Sequence, residues 1–462
     1  MTEAGAALLV EPQLANFVAS ALGREVSEPH RDLARLHILD TLASVVACRD
    51  LEPAALARNY SLSISGGGQG AVTILGTRDR AGLVDAAFAS AMTAHAAEIN
   101  DFIPSAFVQP GPAIVSVALA LTERRGASGA DLLRAVTVGY ELAGRMPKAL
   151  GVSNLRRAGV ANHGIGPIFG AAATAAALLR LPEDRISDVW TYCAQQAAGS
   201  WQWLLDVEHI EKAFVFAGLG AAAGLRAALM VEAGFRGVRG ALDHPAGWMR
   251  GALFSAGDGD RDYLVSQLGD RSELPLTAFK RYPVGGPAQP AVEALLGMLP
   301  ALGAAPVESV LIEMPGRWEA FRDAAMPALN LRYLTAIILL DGELEFVSAQ
   351  SLQRMARDEA VQALMLRVEI RHDPAQEIPP PAPRPESARV TVTLADGRRE
   401  TAFVPHVLGY PTHPMSRAEV EAKAMVLMGP ALGRERAHAV VAATAQLDAL
   451  PDAGALIELI AR

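Results

Sequence analysis

The runs VESVLIEM (307–314), LRVEI (366–370) and ARVTVTLADGRRETAFV (388–404) interrupt a chain whose texture is otherwise helical, and their reading decides the fold. In each, apolar residues alternate with polar ones, the two-residue period of a half-buried strand. Asp396-Gly397 separates two such runs and is a hairpin turn signal, because glycine accepts the positive φ a tight turn demands. The stretch predicts a small α+β unit, with IPPPAPRP (378–385) as an extended surface loop inside it.

Working outward, residues from about 12 to 270 read as helix after helix. Leu33, Leu36, Leu39 and Leu42 recur at helical spacing, and DLLRAVTVGYELAGRM (131–146) and RISDVWTYCAQQAAG (185–199) carry similar apolar faces. No strand–helix alternation occurs there. Beyond 412 the helical texture returns, with Ser416 and Glu419 in a capping-box pattern before VEAKAMVLMGPAL (420–432). The expected fold is mostly α. A large discontinuous all-helical domain (1–270 and 412–462) accompanies a smaller α+β domain (271–411), with a cleft between them suited to a site.

At 462 residues, two domains are the natural prior. A net charge of −9 provides no basic field to hold a phosphate backbone, so no nucleic-acid partner is expected. Cys48 and Cys193 both lie in apolar helical patterns, which predicts reduced, buried thiols and a cytoplasmic setting. Glu3 stands where a secretory signal would carry a basic residue. Two uncharged stretches, 102–122 and 158–179, are long enough to span a bilayer. Pro104, Pro110 and Pro112 break the first and His163 lies in the second, so both read as buried core helices and no membrane partner is expected.

Several signatures fail. SISGGGQGAVTILGT lacks the Gly-Lys-Ser/Thr ending of a phosphate loop, and GLGAAAG (218–224) has the wrong spacing for a dinucleotide fold. No Gly-x-Ser-x-Gly elbow, Cys-x-x-Cys pair or His-Glu-x-x-His zinc signature occurs. His95 and Glu98, three apart, would share a helix face and could bind a metal, but a helix-end hydrogen bond is the preferred reading. No metal and no cofactor are expected.

Four segments place polar groups where apolar texture would be expected. HAAEINDFIPSAFVQPGPA (95–113) brings Glu98, Asn100 and Asp101 to the end of a helix, where acids oppose the helix dipole. RRAGVANHGIGPIFGAAA (156–173) has His163 opening a small-residue helix, where free backbone N–H groups could receive an anion. DVEHIEKAFVFAGLGAAAG (206–224) sets Lys212 before an uncharged helix, suited to pairing with a carboxylate. AFKRYPVGGPAQPAVEALL (278–296) and ALNLRYLTAIILLDGEL (328–344) supply Lys280, Arg281, Gln289, Arg332 and Tyr333.

Taken in order, these segments resemble the MmgE/PrpD family, which includes 2-methylcitrate dehydratase, cis-aconitate decarboxylase and iminodisuccinate epimerase. GASGADLLRAVTVGYELAGR (126–145), AAATAAALLRL (171–181), MVEAGFRG (230–237) and LGYPTHPMSRAEVEAKAM (408–425) extend the resemblance over nearly the whole chain. It implies a large helical domain joined to a smaller α+β domain, and a homodimer. Glu98 lies where the family often has Asp, and Asn100 and Asp101 match its Asx-Asp pair. His163 matches a helix-opening His, Lys212 lies within about one residue of an active-site Lys, and Tyr333 matches an active-site Tyr. Gln109 and Pro287 depart from the lyase members, which have His at those places.

Removing a proton α to a carboxylate requires a base, groups that hold the carboxylates, and an acid. The assigned set is His163, Lys212, Tyr333, Glu98 and Asp101 for catalysis, with Asn100, Gln109, Lys280, Gln289 and Arg332 binding a small polycarboxylate. An epimerase has no leaving group to protonate, so a site lacking a His still serves it. Epimerisation of an iminodisuccinate-like dicarboxylate therefore ranks ahead of lyase chemistry on a methylcitrate- or aconitate-like acid. The alternative from another class is a non-catalytic helical binding scaffold.

Overall fold

The structure, a computed structural model, describes residues 9–68, 70–251, 254, 257–303, 305–316, 318–378 and 386–462. The helical part is built around α1 (Glu28–Cys48), α2 (Leu83–Ala94), α3 (Pro110–Arg125), α4 (Gly129–Leu150), α5 (Asn162–Leu178) and α6 (Leu219–Glu232). Helix α5 is buried along its whole length and packs against α3, α4 and α6. Its sequence explains how: glycine and alanine let neighbouring backbones approach closely. A Cβ on Gly170 would lie 2.7 Å from the carbonyl oxygen of Gly139 on α4, so no larger residue fits that crossing. Proline at the first turn of α3 and the Ser128 side chain accepting the Asp131 N–H at α4 fix the two helix starts.

The smaller domain has its own core. It comprises α7 (Gln289–Leu302), β1 (Val307–Met314), α8 (Leu331–Asp341), β2 (Val368–His372), β3 (Ala388–Leu394) and β4 (Arg399–Val404). The strand order is β2-β1-β3-β4, with β1 and β2 parallel and the other pairs antiparallel. The parallel pair needs a crossover, and α8 lies within it. Val310, Ile312, Val390 and Val392 face one apolar layer with Val292, Leu295, Leu334 and Ile337. Gly397 closes the β3–β4 hairpin at φ 87°. The strand read from 366 begins at Val368, because Leu366 caps the preceding helix Glu359–Met365. The proline loop at 378–385 lies, apart from Ile378, outside the described residues.

The chain then returns. Helix α9 (Arg417–Leu432) opens with the Ser416–Glu419 capping box, and Ala424, Leu427 and Met428 enter the large helical core beside residues of α1. Between the two cores runs a seam. Phe102 pairs with Ala278, the Phe279 N–H donates to the Gly409 carbonyl, and Phe102, Ala278, Val407 and Tyr410 cluster there. Cys48 and Cys193 are free and buried. Among the described residues one helix, Ile210–Glu232, is long and apolar enough to cross a membrane by composition, with mean hydropathy 1.8. Two-thirds of that window is buried in the core, 67%.

Candidate active site

Helix α2 ends at Ala94, and the turns that follow carry Glu98 into the interior, 2% exposed. Lys280, from the seam, places Nζ 2.8 Å from Oε2, and Lys212 pairs with Oε1. Both lysines are buried. Burial alone would push the Glu98 carboxyl up, but Lys212 and then Lys280 outweigh it and hold the group well below the ordinary carboxylate range. Burial loosens the Lys212 proton, against the pull of Glu98. Two ammonium groups around one carboxylate leave the cluster net positive, which favours an anion.

Lys212 sits in a short helical turn, Ile210–Ala213, whose Lys212 N–H donates to Asp206 Oδ2 at 2.8 Å. One wide π-turn, Phe214–Gly218, joins this turn to α6, a distortion common at functional sites. It sets the Phe216 ring parallel to two imidazoles: His163 at 3.8 Å and His95 at 4.9 Å between ring centres. Trp201 and Trp203 meet His163 edge-on at 5.4 and 5.2 Å, and the Lys212 ammonium lies 5.0 Å from the Trp203 ring centre.

Gln109 is the residue before α3, and its Oε1 lies 3.0 Å from His163 Nδ1. A carbonyl oxygen only accepts, so Nδ1 carries the proton and Nε2 keeps its lone pair. Burial, and after it Lys212, pushes the His163 pKa well down, so the ring is a neutral base at neutral pH. Asn100 Oδ1 holds His95 Nδ1 at 2.7 Å, a hydrogen bond at a helix end.

Asp101 takes a different setting from the catalytic one expected. Its carboxylate accepts the Gly111 N–H at 3.1 Å and the Tyr140 hydroxyl at 2.6 Å, and stands 2.8 Å from His37 Nδ1, all buried. It pins the start of α3 to the Glu98 segment, a positioning role. From behind, Lys423 on α9 bonds Asp40 at 2.5 Å and the Ile99 carbonyl, next to Glu98, at 2.7 Å.

Three assigned residues stand apart from the cluster. Gln289 accepts the Tyr282 N–H at 3.0 Å and donates to the Tyr282 and Val284 carbonyls, both at 2.8 Å, so it staples the loop after Lys280 rather than facing a ligand. Arg332 donates to the Val368 carbonyl and to Asp323, both at 3.2 Å, at the small-domain surface. Tyr333 is turned by α8 into the small-domain core, where its hydroxyl donates to the Ser348 carbonyl at 2.6 Å and its charged neighbours are Arg354, Asp341 and Asp358. The helix register decides this: the face of α8 that carries Tyr333 also carries Leu334 and Ile337 into that core.

Sequence reading missed the aromatic wall of Trp201, Trp203 and Phe216, and it missed His209. His209 Nε2 lies 3.8 Å from Glu98 Oε1, and its ring meets His95 edge-on at 5.2 Å. Its place one helical turn before Lys212 was the available signal. Among the described residues, the ligating atoms of His95, Glu98 and His209 all lie within 4.8 Å of one another, a donor set that suits a metal in kind. The charge opposes one, because Lys212 and Lys280 already pair with the carboxylate and repel a further cation.

A large helical domain, a smaller α+β domain and a buried Lys–Glu–Lys cluster walled by histidines and aromatics define the class of protein. The chain belongs to the MmgE/PrpD family: the family's N-terminal domain matches residues 12–258 and its C-terminal domain residues 282–448. It is similar to two cis-aconitate decarboxylases. One, from Aspergillus terreus, is 28% identical over 254 residues, 50% of this chain and 49% of the relative, so that match spans about half the relative's length. The other, from Aspergillus terreus strain NIH 2624 / FGSC A1156, is 24% identical over 425 residues, 85% of this chain and 84% of the relative.

Proposed function

We propose that the chain is an enzyme that moves a proton at a carbon α to a carboxylate of a small polycarboxylate, without a cofactor, and that it works as an epimerase on an iminodisuccinate-like dicarboxylate. The observation that carries this reading is the Gln109–His163 hydrogen bond beside the Glu98–Lys212–Lys280 cluster. His163 Nε2 takes the α-proton. The resulting enolate charge is held by Lys212 and Lys280, and a proton returned from the other side by the loosened Lys212 ammonium inverts the carbon. Glutamine at 109 offers a hydrogen bond but no proton near neutral pH, so that position cannot supply the proton that departure of hydroxide would need.

A second reading is lyase chemistry, and the names of the two relatives favour it. Decarboxylation breaks the carbon–carboxylate bond, leaves its electron pair on carbon and requires one proton there, which Lys212 also supplies. NMR in D2O separates the readings. Epimerisation incorporates deuterium at the α-carbon of iminodisuccinate stereoisomers and inverts it, with no CO2 and no unsaturated acid released. Itaconate from cis-aconitate, or 2-methylaconitate from 2-methylcitrate, without that exchange selects the lyase. A thermal shift with none of these acids selects the non-catalytic scaffold.

The proposed assembly is a homodimer in the cytoplasm. Exposed Leu204, Leu205, Val207 and Phe214, on the segment that carries Lys212, support a partner surface, and the two buried thiols support a reducing compartment. Light scattering that gives a monomer mass would exclude the dimer.

A further inference from the structure

The His209 carbonyl accepts the Ala213 N–H at 3.2 Å, but among the described residues its ring takes part in none of the hydrogen bonds that hold the site together. Its backbone is left-handed, φ 65° and ψ 17°, at the start of the turn Ile210–Ala213. Non-glycine residues keep that conformation at a cost, and such strain gathers at ligand sites. The residue is 5% exposed, and neither Nδ1 nor Nε2 has a hydrogen-bond partner among the described residues. Glu98 Oε1, at 3.8 Å, is too far to serve as one.

A buried ring with both nitrogens unpaired is unfavourable unless it meets a group from outside the chain. The groups around it are Glu98, Lys212, Lys280 and the neutral edge of His95. Two ammoniums against one carboxylate attract an anion, and a neutral imidazole has one N–H to donate. We propose that His209 is a substrate-binding residue whose ring N–H donates to a carboxylate oxygen held at the Lys212–Lys280 pair. The assignment rests on reading this cluster as a polycarboxylate site.

The test uses the full chain with His209→Asn and His209→Gln, probed by thermal shift and calorimetry with cis-aconitate, 2-methylcitrate, iminodisuccinate and, separately, ZnCl2. Asparagine tolerates the left-handed backbone, so the Asn variant should melt within about 2 °C of wild type. Its dissociation constant for whichever acid stabilises the wild type should rise roughly 10- to 100-fold, the loss of one hydrogen bond to a charged group. Glutamine, whose amide N–H reaches about as far as ring Nε2, should recover most of that loss. Unchanged acid binding in the Asn variant, with or without lost stability, overturns the role of His209 and leaves the carboxylate reading intact. A wild type that responds to none of the acids overturns that reading too. Stabilisation of the wild type by Zn2+ alone, lost in the Asn variant, overturns the proposal in favour of a metal site.

Discussion

The carbonyl oxygen of Gln109 stands 3.0 Å from Nδ1 of His163, and this one hydrogen bond decides which ring nitrogen is free to take a proton. Replacing the amide by a carboxylate changes the charge and little else. In Gln109→Glu the new anion favours the imidazolium, so the His163 pKa rises and the basic form is lost at higher pH. The acidic limb of the kcat/KM profile should move up by about one to three pH units. Ring 15N shifts of His163 followed through the same titration give an independent check. A limb and a ring shift that stay where wild type has them would remove His163 from the role of base.

His163 itself is buried, yet it bonds only Gln109 among the described side chains and stacks on Phe216. His163→Ala should therefore lower turnover about a hundredfold or more, in line with general acid–base contributions, while the protein still folds. Circular dichroism melts beside initial rates make the measurement. Loss of folding together with wild-type residual turnover would return His163 to the core.

Glu98 is the counter-charge to two buried lysines. Glu98→Gln leaves both ammoniums without it, and unfolding in urea at neutral pH should show a loss of about 3–5 kcal/mol. The pH dependence has a definite sign. The folded pKa lies far below the ordinary 4.5, so the contribution of Glu98 is present above 4.5 and fades as pH falls through the folded value. The stability gap between wild type and Glu98→Gln should narrow on acidification below 4.5. A gap independent of pH would mean that the carboxylate charge is not what stabilises the cluster.

Tyr333 tests the placement of the small domain. Its hydroxyl bonds the Ser348 carbonyl, so Tyr333→Phe should cost about 1 kcal/mol of stability and leave kcat within a few-fold of wild type. A hundredfold fall in kcat at unchanged stability would bring the phenol back to the reacting carbon.

Local patterning made much of the architecture legible. The two-residue period at 307–314 and 388–404 and the Asp396-Gly397 turn are short-range properties, and they appear as β1, β3 and β4. The Ser416–Glu419 capping box is likewise local. Part of the site was legible for another reason: Glu98, Lys212, Lys280 and His163 are charged or titratable groups in apolar surroundings, and burial makes such groups seek partners.

What lies across the chain was not legible. Lys423, on the last long helix, bonds the carbonyl of Ile99, and nothing near either residue in sequence announces it. Tyr333 and Arg332 share a motif with the family, but helix register turned one into the small-domain core and the other to its surface.

By itself, then, the sequence determined most of the helix and strand segments and that Glu98, Lys212, Lys280 and His163 lie in apolar surroundings, because those depend on neighbours a few residues apart. Only the tertiary structure decided which charges meet. A single wide turn at Phe214–Gly218 carries Phe216 between His95 and His163, and a left-handed residue brings His209 to Glu98. Such angular details are held by packing against residues about fifty to 120 positions away, so no periodicity in the chain records them.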